Sequence, residues 1–263
     1  MKDSFNNSTD TYGSSSSPEP IEIDASMLHW DVDFEKGMSC CPLFAILIMI
    51  LCTATFAIQF AGGSLGNVDD LIDVGALDLQ PVLNGELWRL VSATFMHAGL
   101  DHLVGNLVML YILGMACEHG FGRSQFLFLY VLSGIVGSLA SLLGGTTSVG
   151  ASGAIFGLAG AIVVLFWRHR NRLHLRDRRI GIVLAFWACY QLFLGSLTPG
   201  IDNLAHAGGV ASGALLAFAL SPEVVYGRET VSKRLLTRLG LMASCLCLVA
   251  TAVCFIPRLL ASI

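Results

Sequence analysis

Seven apolar segments, each close to the length of a membrane-spanning helix, dominate this sequence. They lie at 42–60, 94–115, 125–143, 151–167, 180–198, 203–220 and 239–260. A helix needs about 20 predominantly apolar residues to cross a bilayer. Only 13% of the residues are charged and the mean hydropathy is +0.70, which sets the chain apart from a soluble domain. The predicted fold class is an all-α polytopic membrane protein, a helical bundle with one membrane domain.

The N-terminus differs sharply in composition from the rest of the chain. Residues 1–40 are rich in serine and acidic side chains, without the apolar core of a cleavable signal peptide or the arginines of a transit peptide. We therefore expect a flexible cytoplasmic tail at 1–40 and a membrane domain at 41–263. The first span is expected to act as an uncleaved signal anchor.

Arginines concentrate in one loop, between the fourth and fifth apolar segments. They are Arg168, Arg170, Arg172, Arg176, Arg178 and Arg179. Positively charged loops stay on the cytoplasmic side of a membrane. We therefore predict a cytoplasmic N-terminus, a lumenal or extracellular C-terminus, and residence in the secretory pathway or plasma membrane. A basic run can also bind nucleic acid or anionic lipid, but its position between two spans favours a topology signal. Membrane lipid surrounds the spans, and no nucleic-acid partner is expected.

Two polar residues occur where this topology brings span ends to the outer face. Ser152 lies near the start of the fourth span, and His206 lies near the start of the sixth. Polar groups inside a membrane are costly and are functional candidates by default. Because peptide hydrolysis by serine requires a base for the hydroxyl proton, we interpret Ser152 as a nucleophile and His206 as its general base. Asp202 is near in sequence but poorly aligned, so the pattern favours a dyad over a triad.

The second span offers hydrogen-bond donors for the same chemistry. His102 and Asn106 are four residues apart, so they share one helix face, and either side chain can donate to an oxyanion. Backbone N–H groups at the helix N-terminus that begins at Ser152 are further donors. His97 lies five residues before His102 and is less well aligned with that face.

Small residues recur four positions apart in the two spans that carry the candidate pair. Gly153 and Gly157 form one stripe, and Gly209 and Gly213 form the other. Such stripes let membrane helices approach closely, so the fourth and sixth spans are predicted to pack together and bring imidazole to hydroxyl. The eight cysteines show no metal-ligand spacing, and no metal or other cofactor is expected.

These motifs together resemble those of the rhomboid family of intramembrane proteases. The resemblance covers residues from about 85 to 220, with a compatible apolar segment before and after. The matching motifs are Trp88-Arg89, His97-x4-His102-x3-Asn106, Gly150-Ala151-Ser152-Gly153 and Ala205-His206-x2-Gly209-x3-Gly213.

The resemblance implies a serine endopeptidase that needs no cofactor. It would cleave single-pass membrane proteins near the outer face, at small residues where the substrate helix is weak. Ser152 would be the nucleophile, His206 the general base, and His102 and Asn106 the oxyanion donors. The span at the C-terminal end is similar to that of secretase-type rhomboids of the eukaryotic secretory pathway, and the compact chain is also similar to apicomplexan rhomboids. Segment 61–90 resembles the family's interfacial loop, and 194–203 its mobile cap.

Two other interpretations stay open. A catalytically inactive rhomboid-like protein would bind membrane helices without cutting them. A transporter or channel would line a polar path with His97, His102, Asn106 and His206, although no internal repeat of the kind common in transporters occurs. Each candidate alone is most simply a packing or structural residue. It is their common depth in the membrane that favours catalysis.

Overall fold

Helices form nearly all of the secondary structure in this computed structural model, which describes residues 32–176, 179–232 and 234–263. The helices are α1 (Leu43–Ala61), α2 (Val68–Val74), α3 (Leu79–Leu83), α4 (Arg89–Ser92), α5 (Leu100–Phe121), α6 (Arg123–Leu142), α7 (Ser152–Arg168), α8 (Ile180–Leu197), α9 (Asn203–Ala219), α10 (Glu223–Tyr226), α11 (Arg228–Ser232) and α12 (Leu235–Ala261). A 3-10 helix, Ala93–Phe95, follows α4 directly, and two short strands are β1 (Val32–Asp33) and β2 (Leu173–His174). The predicted all-α class is confirmed.

Six of the described helices are long and apolar enough to cross a membrane. They are α1, α5, α6, α8, α12 and α9 together with the residues that follow it to Tyr226. The apolar helix α7 has 17 residues and falls just short of that length. The chain is therefore an integral multi-pass membrane protein, with helices close to the seven predicted segments.

The largest boundary error in the prediction concerns the second segment. It was expected at 94–115, but the corresponding helix, α5, covers Leu100–Phe121. Thr94 and Phe95 belong to the 3-10 helix, and Gly99 is fully extended with φ −172° and ψ 169°. Hydropathy alone could not separate these apolar turns from the helix that follows.

Helix α7 lies at the centre of the bundle. Thirteen of its 17 residues are buried, and it packs against α5, α6, α8 and α9. Its closest neighbour is α9, and glycines make that approach possible. A Cβ atom added at Gly209 or Gly213 would collide with the carbonyl oxygens of Gly153 and Gly157, respectively. The two helices therefore meet backbone to backbone, without side chains between them.

The segment between α1 and α5 is held against the chain that leads into α7. Leu77 and Ser148 form an antiparallel bridge with two N–H···O bonds of 3.0 Å. The Thr147 hydroxyl donates to a carboxylate oxygen of Asp78 at 2.9 Å. Residues 147 and 148 are therefore fixed by backbone and side-chain bonds just before α7 begins.

Strand β1 docks at the opposite end of α7. It pairs in parallel with β2, with Val32 opposite Leu173. The next residue, Phe34, is buried and meets the rings of His119 and Phe166 edge-on, at centroid distances of 5.1 and 5.0 Å. The flexible tail was expected at 1–40, and its residues 1–31 lie outside the described part, so the flexibility and cytoplasmic location of the tail stay predictions.

Candidate active site

Ser152 is the first residue of α7, and a glycine turn leads into it. Gly150 has φ +130°, a conformation that favours glycine. A Cβ atom at this position would also lie 2.7 Å from the ring of His102. Both the backbone conformation and the lack of space for a side chain therefore favour glycine at position 150. The close contact also places the His102 imidazole beside the turn that leads into Ser152.

His206 lies in the first turn of α9, which Asp202 caps. One carboxylate oxygen of Asp202 accepts from the Ala205 N–H at 2.9 Å, and the other accepts from the Ser141 hydroxyl of α6. From this fixed helix start, the Nε2 atom of His206 lies 2.8 Å from the Oγ atom of Ser152. The two candidate residues, 54 positions apart in sequence, are within hydrogen-bonding distance.

An aromatic ring, not a carboxylate, orients the His206 imidazole. The ring stacks on Phe156 with a centroid distance of 4.2 Å and an interplanar angle of 12°. Its Nδ1 atom is buried and has no hydrogen-bond partner among the described residues. Asp202 is occupied by the α9 N-terminus and by Ser141 and does not hydrogen bond to the imidazole. Within the described part of the chain, Ser152 is the hydrogen-bond partner of the His206 ring, and no carboxylate bonds to that ring.

His102 and Asn106 lie on α5 beside this pair but do not hydrogen bond to it. Asn106 is buried, and its Nδ2 atom donates to the His102 carbonyl oxygen at 2.8 Å. Among the described residues, neither side chain has a hydrogen bond to Ser152 or His206. In the same described ranges, one N–H of the Asn106 amide and the ring nitrogens of His102 have no hydrogen-bond partner.

His97 is fully buried between the 3-10 helix and α5. Its ring meets the His102 ring edge-on at a centroid distance of 5.2 Å, so it packs behind His102. Sequence reasoning missed the residue that holds it, Gln59 of α1. The His97 N–H donates to the Gln59 Oε1 atom at 3.3 Å, and the Gln59 Nε2 atom donates to the His97 carbonyl oxygen at 3.4 Å. The available signal was a lone amide within an apolar span.

Trp88 and Arg89 stabilise the segment before α5 and do not contact Ser152 directly. Arg89 is buried, donates to the carbonyl oxygens of Ile72 and Ala76, and forms an ion pair with Glu86 at 2.6 Å. A guanidinium that satisfies two carbonyls and a carboxylate ties three parts of this segment together.

A small cavity of mixed polar and apolar lining lies beside Ser152. Its volume is about 20 Å³, and its lining includes Thr94, Ser138, Ser148, Leu77 and Val149. A cavity of this size holds about one water molecule when polar partners surround it. Among residues 32–176, 179–232 and 234–263, no cluster of three or more histidine, cysteine, aspartate or glutamate side chains could hold a metal ion.

The fold and the site define a class of protein, a helical multi-pass membrane protein that pairs a serine and a histidine at the starts of two tightly packed helices. The Rhomboid domain family model matches residues 84–223, more than half of the chain. The chain belongs to the rhomboid family.

Curated relatives agree with this assignment. The chain is 34% identical to Rhomboid protease GluP of Bacillus subtilis over 210 residues, which is 79% of this chain and 40% of that protein. It is 38% identical to RHOMBOID-like protein 5 of Arabidopsis thaliana over 169 residues, 61% of this chain and 53% of the relative. RHOMBOID-like protein 4 of the same plant is 40% identical over 162 residues, 59% and 39% of the two chains. The matches thus span between 39% and 53% of these relatives' lengths.

Proposed function

We propose that this protein is an intramembrane serine endopeptidase that uses Ser152 as nucleophile and His206 as general base. The observation that carries the proposal is the 2.8 Å distance between His206 Nε2 and Ser152 Oγ. A lone serine or histidine in a membrane helix is usually structural, but a nucleophile and a base in direct contact meet the first requirement of covalent catalysis. Membership of a family with a named protease relative supports the same conclusion.

In the proposed reaction, neutral His206 accepts the Ser152 hydroxyl proton at Nε2 while Oγ attacks a peptide carbonyl. The carbonyl oxygen becomes an oxyanion beside the N-terminus of α7, where the Ser152 N–H and the positive end of the helix dipole stabilise it. His102 and Asn106 are the proposed side-chain donors on the opposite wall. The imidazolium then returns its proton to the leaving amine, and water hydrolyses the acyl-enzyme.

The proposed substrates are single-pass membrane proteins, cut near the lumenal or extracellular face. A membrane helix hides its carbonyl groups in its own hydrogen bonds, so it must open before a serine can attack. Small residues that weaken a helix lower the cost of opening, because glycine alone disfavours helix by about 1 kcal/mol relative to alanine. The chemistry assigned to each residue needs no cofactor.

The proposed orientation puts the N-terminus in the cytoplasm and the C-terminus in the lumen or outside. It rests on the arginines of the 168–179 loop and the positive-inside rule. Ser152, His206 and the segment between α1 and α5 then share the outer side. An Asn-linked glycan on the native acceptor pattern at Asn6 or Asn7 would contradict this orientation, because cytoplasmic residues do not meet the transferase.

The deciding experiment is cleavage of a reporter single-pass protein in proteoliposomes. Wild type is compared with Ser152→Ala and His206→Ala, and with two matched controls. Ser244→Ala removes another buried serine, whose hydroxyl bonds within α12, and His174→Ala removes an exposed histidine. We expect cleavage to disappear in the first pair and persist in the second.

A serine-reactive fluorophosphonate probe distinguishes the enzyme from the two other interpretations. The proposed protease is labelled at Ser152, and the label disappears in Ser152→Ala. An inactive helix-binding protein or a transporter would give no Ser152-dependent label. Cleavage that is unchanged in Ser152→Ala would overturn the serine mechanism.

A further inference from the structure

The end of α12 is attached to the segment between α1 and α5 by a cluster that the proposed reaction does not use. Phe255 stacks on Trp88 with a centroid distance of 6.2 Å and an interplanar angle of 29°. Arg258 lies one turn further along α12, with its Cζ atom 4.8 Å from the Trp88 ring centroid. Its Nη2 atom forms an ion pair with Glu86 at 2.8 Å. We call Phe255, Arg258, Glu86 and Trp88 the α12 brace.

The brace continues into the interior through Arg89. Glu86 uses its second carboxylate oxygen to bind the Arg89 Nε atom at 2.6 Å, so one carboxylate joins two guanidinium groups. The Arg89 guanidinium also lies 4.8 Å from the Trp88 ring centroid. The Arg89 Nη1 atom donates to the Ala76 carbonyl at 2.9 Å. Movement of Glu86 or Trp88 would therefore disturb the backbone around Ala76.

Backbone hydrogen bonds connect the residue after Ala76 to the segment that leads into Ser152. Leu77 exchanges two backbone hydrogen bonds of 3.0 Å with Ser148. The Gly150 N–H donates to the carbonyl oxygen of Ala93, the residue directly after α4, at 2.9 Å. Ser152 is only two residues beyond Gly150. A continuous series of bonded groups thus runs from α12 through the segment between α1 and α5 to the start of α7.

We propose that Arg258 is a positioning residue, through which α12 fixes the 147–150 segment and hence Ser152. The proposal rests on the proposed protease function, because it assigns α12 a role in the geometry of that reaction. Catalytic groups must be held to about half an ångström, and the second layer of contacts supplies this precision. Arg258 contacts neither Ser152 nor His206, so it acts only through the brace.

The kinetic test uses the full chain in proteoliposomes. Arg258→Ala removes the ion pair and the cation–π contact, and loss of the cation–π contact alone corresponds to a change of about 2- to 5-fold in the population in which Ser152 is aligned with His206. We expect kcat to fall by at least that factor with KM unchanged. Arg258→Lys keeps the cation and should restore most of the rate. The control is Leu260→Ala, an exposed residue two positions along the same helix.

A second measurement is independent of proteolysis. Hydrogen exchange of the Ser148 and Gly150 amides, which donate to Leu77 and Ala93, should accelerate in Arg258→Ala and stay at the wild-type rate in Leu260→Ala. Equal exchange in wild type and Arg258→Ala would overturn the brace, whatever the enzyme does. A lowered melting temperature with unchanged kcat would also overturn it, since Arg258 would then be merely structural. If the proposed protease function is wrong, the wild-type protein will not cleave the reporter. That result is distinct from the two outcomes that would overturn the brace.

Discussion

The imidazole of His206 lies flat on the phenyl ring of Phe156, with ring centroids 4.2 Å apart. Phe156 follows Ser152 by one turn on the same helix, α7. The proposed nucleophile and the surface that orients its base therefore belong to one rigid element. In serine–histidine–aspartate sites a carboxylate fixes the imidazole, whereas here the contact is with an aromatic face.

Replacing Phe156 by leucine should slow the reaction without unfolding the protein. Leucine keeps the site apolar but removes the flat face, and aromatic stacking contributes about 0.5–1.5 kcal/mol beyond buried area. We expect kcat in proteoliposomes to fall by about 2- to 10-fold. Phe193→Leu on α8, where the ring is exposed, serves as the control. A Phe156→Leu enzyme with wild-type kcat would show that stacking does not orient the base.

The rate of cleavage should fall as the pH is lowered below neutral. His206 must be neutral to accept the Ser152 proton, so protonation of the imidazole removes the base. We expect kcat/KM to rise with pH as the His206 imidazole loses its proton and then to level off. Labelling of Ser152 by the fluorophosphonate probe should follow the same curve, because it needs the same base. A flat profile from acid to neutral pH is incompatible with this role of His206.

Adding a methyl group at Gly213 should destabilise the fold. Its Cβ atom would collide with the backbone carbonyl of Gly157, and neither helix can yield by rotating a side chain. Overpacking of this kind costs about 1–3 kcal/mol, which should lower the melting temperature in detergent. Gly105→Ala on α5 is the matched control, because nothing lies within 4 Å of its Cβ position. Equal melting temperatures for the two variants would contradict the close approach of α7 and α9.

Loss of the Gln59 amide should destabilise the region behind His102. Gln59→Leu leaves the buried N–H and carbonyl oxygen of His97 without partners, at a cost of about 1–3 kcal/mol. We expect a lower unfolding free energy and, because the His97 ring packs against His102, a lower kcat. Gln80→Leu, at an exposed position of α3, should leave both values unchanged. Wild-type stability in Gln59→Leu would show that the two long bonds contribute nothing.

The sequence could predict those features that have a regular pattern or an unusual residue type. The lengths of the apolar segments predict the spans, and glycines four residues apart indicate which helices pack together. Ser152 and His206 stand out because polar groups in hydrocarbon are rare. The 2.8 Å contact between them depends on how two helices cross, so sequence spacing made it plausible without fixing it.

Other parts have no periodic signal. Phe156 is an ordinary apolar residue of its helix until His206 lies on it. Nothing in the sequence links Arg258 to Glu86, because the two residues are 172 positions apart. The docking of β1 onto β2 involves only two residues in each strand, too few for an alternating pattern to emerge.

The backbone contact between α7 and α9 limits where this molecule can move. Because the carbonyls of Gly153 and Gly157 press directly on Gly209 and Gly213, no rotamer change can widen or narrow that interface. The distance between the two helix backbones that carry Ser152 and His206 is thus fixed when the helices associate. If the proposed function is correct, adjustment to a substrate falls to less buried elements around this rigid pair, such as α8, where only Ala188 and Gly195 are buried.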